Sequence, residues 1–85
     1  MKALRKMASG PGLETVDIGI PEIGPRDCLV EVEAASICAT DLHIWHWDAW
    51  SQQRVRPPVN LGHEFGGTVV EVGERTSQVH VGDYV

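Results

Sequence analysis

In the run CLVEVEAASIC, Val30, Val32 and Ala34 alternate with Glu31 and Glu33. A period of two marks a strand with one half-buried face. The same reading extends over most of the chain. MKALRKM supplies a first strand and GLETVDIG a second, closed by glycine. PEIGPRD is a turn region, because each proline fixes φ and moves its predecessor away from helical geometry. GGTVVEVG and VHVGDYV, rich in β-branched residues and parted by ERTSQ, add two later strands. Short strands at such spacing build a barrel or sandwich, so the fold class is mainly β with a short helix.

That helix is TDLHIWHWDAW. Leu42, Trp45, His46, Ala49 and Trp50 recur at i, i+3, i+4, i+7 and i+8, which predicts one apolar-leaning face. Thr40 or Asp41 is placed to cap its start. Thr40, His43 and Trp47 fall on a different face, where a hydroxyl and an imidazole one turn apart can be joined through a ligand or a water. RVRPPVN ends the helical region with two prolines.

Eighty-five residues allow one small domain with a modest core. The formal net charge of -5 weighs against nucleic acid or an anionic membrane surface as partner. Lys2, Arg5 and Lys6 open the chain, but no basic stripe follows. No apolar run reaches membrane-spanning length, and MKALRKMASG lacks the apolar stretch of a secretory signal. The expectation is a cytoplasmic protein without nucleic-acid or membrane partners.

Cys28 and Cys38 stand at opposite ends of the third strand region. At about 3.3 Å per residue they lie roughly 30 Å apart, beyond the 7 Å or so that a disulfide spans. Cys28 therefore reads as a small core residue. Cys38 is placed differently, ending a strand just before a helix. His63 lies in LGHEFGG, where Gly62, Gly66 and Gly67 let the backbone turn tightly. Thiolate and imidazole are good zinc ligands, and a catalytic zinc takes three protein ligands and one exchangeable position. There is no CxxC and no HExxH, so spacing alone leaves coincidence open. Glu64 is the obvious third ligand.

Taken together, CATDLHIW, GHEFGGTVVEVG and VGDYV resemble the opening of the zinc-dependent medium-chain dehydrogenases. The likeness runs from MKAL to GDYV, and the family pattern GHE-x-x-G-x5-G is met by Gly62, His63, Glu64, Gly67 and Gly73. Within that family, HIWHWDAW is more similar to the threonine-oxidising branch than to the alcohol or sorbitol branches. The resemblance implies a partial GroES-like barrel, with residues 1–85 as the N-terminal part of a catalytic domain. The Rossmann NAD-binding domain would lie outside this chain, which then carries no coenzyme-binding residue and is expected to be inactive alone. Zn2+ and NAD are the implied cofactors. The implied substrate is a small-molecule secondary alcohol, above all L-threonine, oxidised to 2-amino-3-ketobutyrate. A homo-oligomer is the implied state at full length.

By position, Cys38 and His63 match two catalytic zinc ligands, and Glu64 matches a glutamate that ligates the zinc or stands next to it. Thr40 and His43 match a proton relay between the alcohol and solvent. Asp41 matches a carboxylate that orients the zinc-bound histidine. Trp47 is expected to border the site, with Trp45 and Trp50 packed into the core. Glu64 and Asp48 are candidate partners for a substrate ammonium. Ala39 stands where the family has glycine, and a positive φ there would strain the backbone beside Cys38.

Other readings compete with this one. A sorbitol- or butanediol-type dehydrogenase would use the same zinc chemistry. A free-standing zinc-binding GroES-like module would hold the metal without catalysis. A zinc-free quinone-type reductase is disfavoured by Cys38, His63 and Glu64 together, and an inert β-rich domain would use its polar residues only as caps and solvated surface.

Overall fold

A computed structural model describes all residues from Met1 to Val85. In chain order the elements are β1 (Lys2–Lys6), β2 (Glu14–Asp17), β3 (Cys28–Ala35), α1 (Ala39–His46), α2 (Ala49–Arg54), β4 (Val59–Asn60) and β5 (Phe65–Val72). They fall into two compact units, Met1–Gly19 with Ser36–Glu64, and Ile20–Ala35 with Phe65–Val85. The protein is mostly strand, as the alternation predicts, with two short helices where one was expected.

In the first unit an antiparallel sheet has the order β2-β1-β4. Its central strand ends on Lys6, which is only 1% exposed. The Lys6 ammonium donates to the Gly10 carbonyl at 2.6 Å and to the Gly12 carbonyl, and lies 5.3 Å from the Trp47 ring centroid. A buried cation costs free energy unless it is hydrogen-bonded, and here two carbonyls and an aromatic face supply the partners. Burial still pushes the Lys6 pKa below the usual lysine value.

The expected single helix is two helices. Trp47 adopts left-handed geometry (φ 59°, ψ 50°) as the C-cap of α1 and is the only non-glycine residue with positive φ. Such geometry costs an L-residue roughly 1–2 kcal/mol. It is offset here by the Trp47 N–H bond to the His43 carbonyl at 2.9 Å and by the Lys6 contact. Asp48 then caps α2. The break dissolves the expected apolar face: Leu42 and Trp45 are each 48% exposed, Trp50 is also exposed, and Asp41 and Ile44 are the buried residues of α1. Trp45 and Trp50 are thus surface residues, and Trp47 ends α1 under the Lys6 ammonium instead of continuing the His43 face. Ala39 opens α1 without positive φ, so the expected strain beside Cys38 is absent.

The second unit is an antiparallel pair of β3 and β5, running from Cys28↔Val72 to Ala35↔Phe65 with two register shifts. Val69 is fully buried, a contribution of about 1.5–3 kcal/mol. The strand expected in VHVGDYV is confined to its end: a turn takes up residues 81–82, and beyond it Asp83 and Val85 bond to Val69 and Gly67 of β5 on either side of the single bridge Thr68↔Tyr84. The half-buried face expected for β3 is only partly realised. Val30 is half-buried but Val32 is 54% exposed, since this unit supplies no second layer over it. Both cysteines are free, as expected.

Gly66 and Gly67 lie in β5 and not in a turn; Gly62 has the positive φ of 115°. At Gly67 a Cβ would sit 2.1 Å from the Glu31 carbonyl oxygen, a backbone atom that cannot step aside. At Gly66 it would meet the movable end of the Tyr84 side chain at 3.1 Å. Gly67→Ala is expected to destabilise by about 1–3 kcal/mol, the usual scale of overpacking, and Gly66→Ala by less. Thermal unfolding of both variants checks this, and a Gly67→Ala protein as stable as its parent contradicts the close approach.

Candidate metal and proton-transfer site

Cys38 is the N-cap of α1, in extended geometry (φ −111°, ψ 176°). Asp41, at the third helical position, accepts the Cys38 backbone N–H at 3.1 Å. Neither Thr40 nor Asp41 is the cap itself, as the sequence suggested. The cap is Cys38, and Asp41 completes the box from inside the helix.

This start aims the cysteine at the glycine-flanked histidine. Cys38 Sγ lies 3.1 Å from His63 Nε2, and His63 Nδ1 lies 3.8 Å from Asp41 Oδ1. Ligand atoms of Cys38, Asp41 and His63 all fall within 4.8 Å of one another. Glu64 is beside them: its Oε2 is 3.7 Å from His63 Nε2, and its Oε1 accepts the Ser36 hydroxyl at 2.9 Å. The donor set of thiolate, imidazole and carboxylate is one that zinc takes. At ordinary bond lengths a tetrahedral zinc separates a thiolate sulfur from an imidazole nitrogen by about 3.6 Å, so the 3.1 Å pair would open by roughly half an ångström. The corner fits the ion.

Thr40 is half-buried in the first turn of α1. With Asp41, His63, Arg54, Arg56 and Asn60 it lines a cleft of about 260 Å³. His43, one turn on, does not line that cleft, and its side chain is 53% exposed. No direct hydrogen bond joins Thr40 to His43, so a proton passing between them would need a water or ligand group. His43 Nδ1 instead contacts Asp48 Oδ2, and the Trp50 ring lies 5.8 Å from the His43 ring, tilted by 44°. Trp50 therefore takes the neighbouring place expected of Trp47.

Asp48 is doubly engaged, since its Oδ1 accepts the Ser51 N–H at 2.9 Å. That bond, followed by the contact with His43, holds the Asp48 carboxyl below the usual value of 3.8. The cap at Asp48 and the two arginines were not legible as site features. Asp48 had the clearest signal, because a carboxylate just before AWSQQR is an N-cap pattern.

Residues 24–85 match the alcohol dehydrogenase GroES-like domain. The chain belongs to that family. It is 56% identical, over all 85 residues, to the L-threonine 3-dehydrogenase of Symbiobacterium thermophilum, of which it covers 24%. Among solved structures it is similar to zinc dependent alcohol dehydrogenase 2 from Streptococcus pneumonia (37% identity, TM-score 0.79, 99% of this chain and 23% of that one). It also resembles 2R,3R-butanediol dehydrogenase from Bacillus subtilis (31% identity, TM-score 0.81, 98% of this chain and 26% of that one). The chain thus spans about a quarter of the length of the relatives it matches.

The Asp48 cap is open to titration. A depressed carboxyl pKa adds stability that is fully present above the ordinary 3.8 and is lost as pH falls through the lower folded-state value. Carboxyl NMR is expected to give an Asp48 midpoint below 3.8, with protection of the Ser51 amide falling over the same range. A midpoint at or above the ordinary value contradicts the double engagement.

Proposed function

We propose that this chain is the N-terminal part of the catalytic domain of a zinc- and NAD-dependent dehydrogenase that oxidises a small secondary alcohol, L-threonine foremost. The observation that supports it most is the meeting of Cys38, Asp41 and His63 in a chain 56% identical to an L-threonine 3-dehydrogenase. The nucleotide-binding Rossmann domain would lie outside residues 1–85. Two free cysteines suit a reducing, cytoplasmic setting, and no helix is long and apolar enough to cross a membrane. The full-length enzyme is read as a homo-oligomer with a role in threonine catabolism.

In this reading Cys38 and His63 hold the metal directly, Glu64 supplies the next oxygen, and Asp41 orients His63 from its Nδ1 side. When bound, zinc would provide Lewis-acid polarisation of the alcohol oxygen and NAD a hydride acceptor. The residues of the chain handle the proton and the orientation. Thr40, in the cleft with His63, is placed to take the hydroxyl proton. His43, half exposed to water, is placed to pass it on through an intervening water. Arg54 and Arg56 line the same cleft and have no carboxylate partner within ion-pair distance, so they are available to a substrate carboxylate. That favours a hydroxy amino acid over a neutral diol. The second reading, a butanediol-type enzyme, draws on the similarity to the Bacillus subtilis structure.

Two measurements test the proposal. Zinc content of the full-length enzyme is expected to fall at this site in Cys38→Ser and in His63→Ala, and full retention in both would remove the ligand assignment. A panel of L-threonine, serine, sorbitol, 2,3-butanediol and ethanol, assayed with NAD and NADP, is expected to give L-threonine with NAD the highest kcat/KM. A higher value for sorbitol or butanediol would keep the enzyme class and overturn the substrate.

A further inference from the structure

The backbone after α1 folds back on the residue whose side chain it serves. The N–H groups of Trp47 and Asp48 both point to the His43 carbonyl, at 2.9 and 3.4 Å. This reversal carries the Asp48 side chain to the His43 ring, where Oδ2 meets Nδ1. The carboxylate is itself held, because Oδ1 accepts the Ser51 N–H that begins α2. Trp50, on the first turn of α2, lies against the same ring. Four contacts from one short segment thus bear on His43.

We propose that Asp48 is the positioning residue of His43, holding the imidazole with Nδ1–H toward its carboxylate and leaving Nε2 as the nitrogen that exchanges protons. The inference rests on the relay reading above. An ionised carboxylate only accepts hydrogen bonds, so the ring nitrogen facing it must carry the hydrogen. Neutral His43 then has its lone pair on Nε2. A proton arriving there gives an imidazolium stabilised by the adjacent carboxylate, and the same Nε2–H leaves to solvent while Nδ1–H stays in place. Rotation of the ring would present the wrong nitrogen, and the contacts from Asp48 and Trp50 oppose that rotation. The arrangement also accounts for a cap built on aspartate: serine would start α2 equally well but would not reach the ring.

The test uses the full-length enzyme with nitrogen-15-labelled histidine. In the parent, NMR of the ring nitrogens is expected to show neutral His43 protonated at Nδ1. Asp48→Asn keeps a capping oxygen while presenting an amide donor to Nδ1, so the Nε2–H tautomer should gain population. Turnover should fall by ~10–100-fold, the scale of a mispositioned acid–base group, with KM within ~3-fold and zinc content unchanged. If Asp48→Asn does not fold, Asp48→Ser carries the same readouts, with the ring losing its fixed tautomer. An Nε2–H tautomer in the parent, an unchanged tautomer in a folded variant, or parental turnover in that variant overturns the proposal. His43→Ala separates the two levels. Parental turnover there removes the relay itself, whereas slow His43→Ala turnover beside unimpaired Asp48→Asn removes only the role of Asp48.

Discussion

The hydrogen bond from the Cys38 backbone N–H to the Asp41 carboxylate sets the geometry on which the first unit depends. Four amide groups at a helix start have no partner within the helix, and this carboxylate takes the one that decides where the helix begins. With Cys38 held extended as the cap, its thiol projects off the helix end toward His63. Asp41 in turn is buried at the helix start and lies within 3.8 Å of the same imidazole. One carboxylate therefore serves both the local fold and the candidate metal corner. The positive end of the helix macrodipole favours anionic donors in this place.

A second restraint acts at the other end of α1. Left-handed geometry at Trp47 is unfavourable by itself and persists because its surroundings demand it. Lys6, buried at the end of β1, places its ammonium near the Trp47 ring while binding the carbonyls of Gly10 and Gly12. Strand, loop and helix end are thus tied through one cation. The sharp stop that results is what allows Asp48 to serve two partners, the Ser51 amide of α2 and the ring of His43.

Little apolar surface is buried within either unit. Ile44 and Val69 are the buried hydrophobic residues, whereas Ile37, Phe65 and Tyr84 are 73%, 51% and 68% exposed. A chain of this size has limited capacity to cover its own side chains, and it spans about a quarter of the length of its relatives. The candidate site does not depend on a large core. Its residues are held by capping bonds, by the glycine before His63 and by the polar contacts of Ser36 and Glu64.

Much of this was legible from local pattern. Alternation in CLVEVEAASIC and GGTVVEVG specifies strands because side-chain direction along an extended backbone repeats every two residues, and this needs no information from elsewhere. The family motif around His63 was likewise local. Other features were not. VHVGDYV has strand propensity and does pair with β5, but a turn at 81–82, which the run itself does not announce, confines that pairing to its last residues. The apolar stripe from Leu42 to Trp50 assumed one unbroken helix, and Lys6, distant in sequence, favours the break at Trp47. Cys38 and His63 stand 25 residues apart, and no spacing rule brings them together. The sequence by itself determined the donors and the alternating strands, both functions of near neighbours. Tertiary structure alone decided that Cys38 and Asp41 meet His63, because those contacts exist only after the chain has closed on itself.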